Sequence, residues 1–536
     1  MKAPELQYQL RDAGSIGEVM TALSSRFQLT SEPEQSVRHT LHDSFDWRLF
    51  QAGLQLDEVQ GQGRHELTLR KLDDGAACET IRLEGPVEGF YQAYPPGLLR
   101  DRLAAALQMR SLLPQVEVRC RERLLSVLDD ERKTVVRVTL QEHAARPPGR
   151  GEYRPMAALV RLLPVRGYAK PLTQLGRFLA DTLELQPQRE PLIVLGLAAI
   201  DRQPLDYSSK LDIELQPRMP AGEVARQIHL TLLETLEANL PGTRADLDSE
   251  FLHDLRVAVR RTRSALSQIS GVFPEAEVEA FKERFAWLGQ LTGPSRDLDV
   301  YLLGFDEYRN SLPEPFRHDL EPLHAFLVRH QQAEHQAMVR KLNSPHFHRL
   351  IKEWRAFLQA TPGAEPSLEQ AAPLVGKPIA KLAGKRIHRT FGKVLKEGLA
   401  INPRSPPEAL HGLRKRCKKL RYLLEFFQSL YPADQVKPLI KRLKGLLDNL
   451  GEFQDLEVQA DKLREFAHQM VAEGEVPADT LLAMGMLVDG LLRRQQESRL
   501  AFAERFARFA DAEQLATFEQ LFGKAGKKRA ESGGAA

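Results

Sequence analysis

Cysteine is nearly absent from this chain: Cys78, Cys120 and Cys417 are the only three in 536 residues. They are too few and too dispersed for a disulfide framework or a thiolate metal site, which points to a reducing compartment. Long apolar runs are missing as well. The longest, PLIVLGLAAI from Pro191, reaches about ten residues where a membrane-spanning helix needs roughly twenty, and the opening MKAPELQYQL carries no secretory pattern. The expected location is the cytoplasm, with no membrane partner. Charge of one sign is not in excess either. Seventy-five Lys and Arg against 72 Asp and Glu leave +3, so any basic site must be a local concentration balanced elsewhere. No histidine pair offers a chelate: His346 and His348, two apart, point about 200° from each other on a helix, and no metal or other cofactor is expected. An apolar content of 42% excludes a disordered chain, and the length calls for two or three domains.

Two textures divide the sequence. Up to about Ser209, alternating runs such as HELTLRKL from His65 and TVVRVTLQ from Thr134, punctuated by Gly, Pro and Asp, predict strands and turns, with helices at about 15–27, 98–109 and 172–183. This part is α+β. From about Pro220 the apolar residues recur at three and four, and the spacing predicts helices over 221–240, 249–270, 275–292, 296–311, 316–342, 345–360, 376–399, 407–430, 434–450, 454–473 and 478–521. This part is all-α. The expected domains are 1–215 and 216–525, with 526–536 as a flexible tail.

One segment occurs twice: LHDLRVAVRRTRSAL from Leu252 and LHGLRKRCKKLRYLL from Leu410. Each sets a histidine ahead of basic residues three, seven and ten positions later, namely His253, Arg256, Arg260 and Arg263 in one copy and His411, Arg414, Lys418 and Arg421 in the other. On a helix these four fall within an arc of about 80°. Beside that cationic stripe runs an apolar one, Leu252, Leu255, Val259 and Leu266 or Leu410, Leu413, Cys417, Leu420 and Leu424. A solvated charged face normally lies opposite the core, whereas this one borders it, as the wall of a groove would. Like charges stacked along a helix cost a few tenths of a kcal/mol per pair, and a bound polyanion is the simplest compensation.

The stripes belong to a larger repeat. The offset 411 − 253 = 158 also carries Gly293 to Gly451, Asp297 to Asp455, Leu298 to Leu456 and Val300 to Val458. With a one-residue shift upstream, Arg226, Ile228 and His229 fall on Lys385, Ile387 and His388. The expectation is two homologous, pseudo-symmetric halves, 221–372 and 373–525, joined near 361–378. Their stripes would line one central channel together with Arg226 and His229 from one first helix and Lys381, Lys385, His388, Arg389 and Lys396 from the other. The acidic Asp297, Asp299, Asp455 and Glu457 are assigned structural roles.

In these residues the region from about Pro220 to Phe522 resembles a CHAD domain, the histidine-containing α-helical domain. FLHDLRVAVRRTRSAL, ALHGLRKRCKKLRYLLEFF, RDLDV and QDLEV carry the likeness. The resemblance implies a two-half helical bundle whose basic central cavity binds inorganic polyphosphate, an association with polyphosphate granules, and no catalysis. Upstream, the chain is similar to proteins that set a CYTH domain, the triphosphate-tunnel fold, before CHAD. LHDSFDWRLFQAGLQL from Leu41 resembles its strand and turn, VRCRERLLSVL from Val118 its Arg-rich strand, and SSKLDIEL from Ser208 its closing strand. Departures from that family bear on activity. The acidic first strand reads Glu5, Gln7 and Gln9, the basic strand Gln55, Asp57 and Glu58, and the later acidic strand Val160 and Leu162. A hard divalent cation needs carboxylate oxygens, so the expectation is a degenerate tunnel without hydrolytic activity. The alternatives are a triphosphatase or polyphosphatase in that first domain, and a nucleic-acid-binding helical protein. Against the last, Tyr422 is nearly alone as an aromatic within the cationic segments.

Overall fold

The computed structural model describes residues 6–10, 16–360, 372–474 and 476–523. Glu5, part of the expected joint between halves and the tail all lie outside them. The chain divides into two units, Met1–Ser209 and Lys210–Ala536.

The first unit is an antiparallel sheet with helices packed on it. Its strands are β1 (Leu6–Gln9), β2 (Gln28–Ser31), β3 (Gln35–Asp43), β4 (Leu54–Gly61), β5 (Arg64–Lys71), β6 (Ala77–Arg82), β7 (Leu113–Leu128), β8 (Thr134–Arg146), β9 (Arg154–Pro155), β10 (Leu159–Pro164) and β11 (Gln186–Pro187). They run in the order β11-β1-β10-β8-β7-β3-β4-β5-β6, with β2 on β7 and β9 on β8. Register decides which side chains look inward. Tyr8 opposes Val160 and Leu6 opposes Leu162. Val160 and Leu162 are fully buried in a cluster with Leu10, Val138 and Leu175. Because strand side chains alternate, Gln7 and Arg161 face the other way, into a cavity. Val160 and Leu162 therefore do not occupy the place of an acidic tunnel strand; a one-residue change of face corrects that expectation. Glu58 is likewise turned away from Gln55 and Asp57, its carboxylate held by His42 and His65 at 2.9 Å each.

A second correction concerns SSKLDIEL. Residues 208–215 form no strand. Leu211, Ile213 and Leu215 alternate buried with exposed neighbours and enter the hydrophobic core of the helical unit. Ser429 Oγ fixes the segment, donating to the Ile213 carbonyl at 2.7 Å and accepting from the Leu215 amide at 3.2 Å. The period of two is real, but the surface it packs on is helical.

The helical unit starts twice in the same manner. Pro220 and Pro378, one repeat apart, each precede a long helix, Ala221–Ala245 and Ile379–Ala400. They form an antiparallel bridge to one another, tightened by Ala221 N to Lys377 O and Ile379 N to Met219 O, both 2.9 Å. Each then leads to a stripe helix, Ser249–Gln268 and Pro407–Phe427. The first is capped by Asp248, whose side chain accepts from the amides of Glu250 and Phe251. The second starts on Pro407, whose missing N–H costs nothing there. The apolar stripes bury as the period demands: Leu255, Leu413, Cys417, Leu420 and Leu424 are all fully covered.

The halves then diverge. In the first, the chain breaks at Thr292 between helices Glu275–Leu291 and Gly293–Leu303. Pro294 explains it, having no N–H to give and a ring that clashes with the preceding turn. Its counterpart in the second half is Glu452, and there the two predicted helices fuse into one of 41 residues, Ala433–Glu473. Conversely, the predicted 478–521 helix is cut into Ala478–Phe509 and Ala512–Phe522, the latter capped by Asp511.

Candidate polyanion site

Two contacts between the stripe helices, and one within the second, bring the cationic rows together. Arg260 of the first stripe helix donates from Nε to the Tyr422 hydroxyl of the second at 2.7 Å. Arg261 reaches Glu425 at 3.2 Å, and Arg421 reaches the other oxygen of Glu425 at 2.6 Å. Glu425 thus ties a guanidinium from each half, and all three partners are at least partly buried. Charge-assisted bonds of this kind contribute about 1.5–3 kcal/mol each, enough to hold two mutually repelling helices side by side. Sequence reasoning missed Arg261 and Glu425, because neither lies on the repeated stripe: the residues one repeat away are Lys419 and Ser267.

Within each half the same architecture recurs with different partners. Arg256 donates from Nη1 to Gly289 O and Thr292 Oγ1, both at 3.1 Å. Arg414, one repeat on, takes Gln454 at 2.9 Å and Asp455 at 3.1 Å. The paired glycines fit against these guanidinium groups: a Cβ on Gly293 would stand 3.6 Å from Arg256 Nη1, and one on Gly451 3.4 Å from Arg414 Nη2. His253 Nδ1 lies 3.3 Å from Arg296, and His411 Nε2 lies 2.9 Å from Glu457. Asp299, the counterpart of Glu457, accepts instead from Gln331 at 3.0 Å, and burial raises its carboxyl to about 6. Burial, then Arg414 and Arg260, push the Lys418 ammonium down to about 8, against Asp455, which raises it. Arg260 and Lys418 come from different halves, and the bond from Arg260 to Tyr422, four residues past Lys418, sets them on neighbouring helices. Lys418 and Arg263 have no hydrogen bond or ion pair among the described residues.

The first helices contribute less. His229 is fully buried among Phe273 and Trp354, with ring centroids at 6.0 and 5.1 Å and neither nitrogen partnered. The expectation that it faces the channel is corrected: this imidazole is a core side chain, and burial drives it down to about 3. His388, its counterpart, is exposed and pairs with Glu519 at 3.1 Å. Arg226 lies over the Phe273 ring at 5.5 Å. Lys381, Lys385 and Arg389 are exposed. Among the described residues, Arg226, Lys385, His388 and Arg389 make no hydrogen bond or ion pair with either stripe. Arg386, which the sequence did not single out, reaches from its helix to the Ser270 carbonyl at 2.7 Å, just past the first stripe helix.

The sheet unit holds a cavity of about 530 Å³, lined among others by Gln7, His39, Asp57, Arg70, His143 and Arg161. Asp57 is already engaged, by His39 at 3.0 Å and Arg70 at 3.8 Å. Gln55 accepts from the Ile193 amide, and Gln141 donates to Glu122. A triphosphate tunnel would be expected to hold a divalent cation, and this donor set does not fit one. The strand positions facing the cavity carry the amides Gln7, Gln55 and Gln141, the further lining carboxylates Asp73, Asp74 and Glu190 are exposed, and no three His, Cys, Asp or Glu among the described residues are grouped to hold a metal. No hydrolytic step is derived for this cavity.

The fold and cluster define a duplicated helical bundle with paired basic helices. Residues 227–464 match the family model for the CHAD domain, and this part of the chain is a CHAD domain. Two uncharacterised proteins of Mycobacterium tuberculosis are each 28% identical over 339 residues, spanning 60% of this chain and 60% of the length of those relatives. The crystal structure of the CHAD domain from the plant Ricinus communis is 26% identical, covering 55% of this chain and 95% of that one at a TM-score of 0.47. The sheet unit resembles triphosphate-tunnel structures, among them a putative adenylyl cyclase from Hippeastrum described as having a dominant triphosphatase activity. That structure is 10% identical, covering 38% of this chain and 99% of that one at a TM-score of 0.23. No helix among the described residues is long and apolar enough to cross a membrane.

Proposed function

We propose that the CHAD domain binds inorganic polyphosphate along the two stripe helices, and that the protein acts by binding, targeting the chain to polyphosphate granules without hydrolysing its ligand. The observation that carries this reading is the contact between stripes, Arg260 to Tyr422 and Glu425 between Arg261 and Arg421, which makes two cationic rows one surface. His253, Arg256, Arg260 and Arg263 form one wall, and His411, Arg414, Lys418 and Arg421 the other. Guanidinium groups grip two phosphate oxygens at once and ammonium groups act as mobile point charges, a mixture suited to a repetitive chain of phosphates. Lys381, Lys385, His388 and Arg389 supply weaker peripheral attraction. The engaged Asp57 and the amides Gln7, Gln55 and Gln141 on the strands facing the cavity support a sheet unit that does not turn over phosphate.

Titration of the full chain with long-chain polyphosphate tests the reading. Counterion release makes affinity fall with salt: for about four to six phosphate contacts, raising salt from about 50 to about 200 mM weakens binding roughly 50- to 300-fold. Replacing Arg256, Arg260, Lys418 and Arg421 together by Glu should abolish binding with the circular dichroism spectrum unchanged. Retained binding in that variant would reject the site. Stronger binding of RNA than of polyphosphate at equal phosphate concentration would favour a nucleic-acid reader.

A further inference from the structure

We propose that Lys418 is a site of covalent N-acylation by small acyl phosphates. Its surroundings favour that chemistry. Arg414 lies one turn before Lys418, and Arg421 and Tyr422 lie three and four residues after it, so all share one face of the helix Pro407–Phe427. The bond from Arg260 to the Tyr422 hydroxyl sets a fourth cationic side chain over that face from the opposite helix. Arg414 and Arg421 are tied to Asp455 and Glu425. Lys418 is partly buried and, among the described residues, holds no hydrogen bond or ion pair. The charged groups felt by its amine are Arg414 and Arg421 on its own helix, Arg260 on the first stripe helix, and Asp455 on the helix Ala433–Glu473. Burial and the three guanidinium groups outweigh the one carboxylate and bring the ammonium down to about 8. At pH 8 about half of Lys418 is then the neutral nucleophile, against about 0.4% of an ordinary lysine.

An acyl phosphate brings its electrophile attached to an anion, and the arginines select that anion. The phosphoryl oxygens dock on the guanidinium cluster, presenting the carbonyl carbon to Nζ. The amine lone pair forms the N–C bond, the C–O bond to phosphate breaks with its electron pair, inorganic phosphate departs, and the Nζ proton passes to solvent. The product is a neutral amide. No oxidant, nucleotide or metal enters. On the polyphosphate reading, which this regulatory consequence rests on, acylation deletes a cation that no acidic side chain engages directly, and bound polyphosphate shields the amine.

The test treats the full chain with acetyl phosphate, and in parallel with the uncharged p-nitrophenyl acetate, between pH 7 and 9.5. Acetylation is quantified by peptide mass spectrometry at Lys418 and at Lys415 and Lys419, its exposed neighbours on the same helix. At pH 8, acetyl phosphate should modify Lys418 at least ten times faster than either neighbour, with a rate that rises through pH 8 and levels above it. With p-nitrophenyl acetate the preference should shrink severalfold, because nothing docks. Equal labelling of the three lysines by acetyl phosphate would overturn the proposal, as would an identical preference with both reagents. Saturating long-chain polyphosphate should protect Lys418. Selective labelling that polyphosphate fails to suppress would overturn the functional reading and leave the modification site standing.

Discussion

The two stripe helices carry cations at the same spacing, with Lys418 in the place of Arg260, and differ in what those cations touch. In the first, Arg256 rests on a backbone carbonyl and a threonine hydroxyl, Arg260 rests on a tyrosine hydroxyl, and neither these nor Arg263 forms an ion pair among the described residues. In the second, Arg414 meets Asp455, Arg421 meets Glu425 and His411 meets Glu457. Duplication thus kept the positive groups and the acids Asp297 and Asp455, but Asp455 pairs directly with Arg414 whereas Asp297 acts on Arg256 without an ion pair. The stripe cations without a direct ion pair among the described residues are therefore concentrated on the first helix, with Lys418 on the second. A polyanion approaching the cluster displaces neutral acceptors on one side and competes with carboxylates on the other.

The widest separation between the helices should come from reversing each one alone. Replacing Arg256, Arg260 and Arg263 by Glu is expected to weaken polyphosphate binding by more than about 100-fold, since each lost phosphate contact also forfeits its counterion release. The same treatment of Arg414, Lys418 and Arg421 should cost about ten times less, because two of those charges are already spent on acids. Equal losses by equilibrium titration would show that the carboxylates give way freely and that the asymmetry has no energetic weight.

A smaller effect isolates the one lysine. Its folded, unliganded amine is held down to about 8, and a bound polyanion raises it, so binding takes up a proton and is favoured where the amine is already charged. Affinity should be level below about pH 7 and fall by up to about fivefold between pH 8 and 9. Lys418→Arg should flatten that profile, because guanidinium does not titrate there. A pH dependence that survives the substitution would move the titrating group elsewhere.

The first helices supply the next contrast, in stability. The unfolded-state imidazole titrates near 6.5, while buried His229 is held to about 3 and stays neutral in the fold. Below pH 6.5 the unfolded chain binds a proton that the folded one refuses, so stability is lost as pH falls, by about 1.4 kcal/mol per unit down to about pH 3. Between pH 7 and 5 His229 should account for roughly 2 kcal/mol by urea unfolding, and His229→Phe should remove that share. His388, its counterpart one repeat on, is exposed and meets Glu519 instead of an aromatic pocket.

That His229 and His388 part company also marks where the sequence ceases to be legible. Periodicity located the stripe helices to within about three residues, because each buries an uninterrupted apolar row, and the repeat paired Gly293 with Gly451, though not with the arginines they lie against. Faces chosen by partners outside the repeat were not readable. His229 turns inward because Trp354 and Phe273 offer it an aromatic pocket, and no period predicts that. Leu211, Ile213 and Leu215 alternate as a strand does, yet the surface they pack on lies more than 200 residues away, at Ser429. Glu425 was invisible for the same reason: its value lies in bridging two halves, and pattern within one half says nothing of it.

The finest test of the comparison uses the two glycines. Gly451 lies inside the unbroken helix Ala433–Glu473, where glycine is about 1 kcal/mol worse than alanine. A methyl group there would stand at ordinary contact distance, 3.4 Å, from Arg414 Nη2. Gly451→Ala should therefore stabilise the fold by about 0.5–1 kcal/mol in urea unfolding. It should also weaken polyphosphate binding by about twofold, since the methyl covers one face of a guanidinium already committed to Asp455 and Gln454. Gly293 opens its helix rather than interrupting one, and its methyl would stand 3.6 Å from Arg256. Propensity counts little at a first position, so Gly293→Ala should shift stability by less than about 0.5 kcal/mol. With Arg256 facing neutral oxygens and free to tilt by a few tenths of an ångström, affinity should not change. If both substitutions behave alike, the two guanidinium seats are energetically equivalent, and the difference between the stripes lies only in their counter-groups.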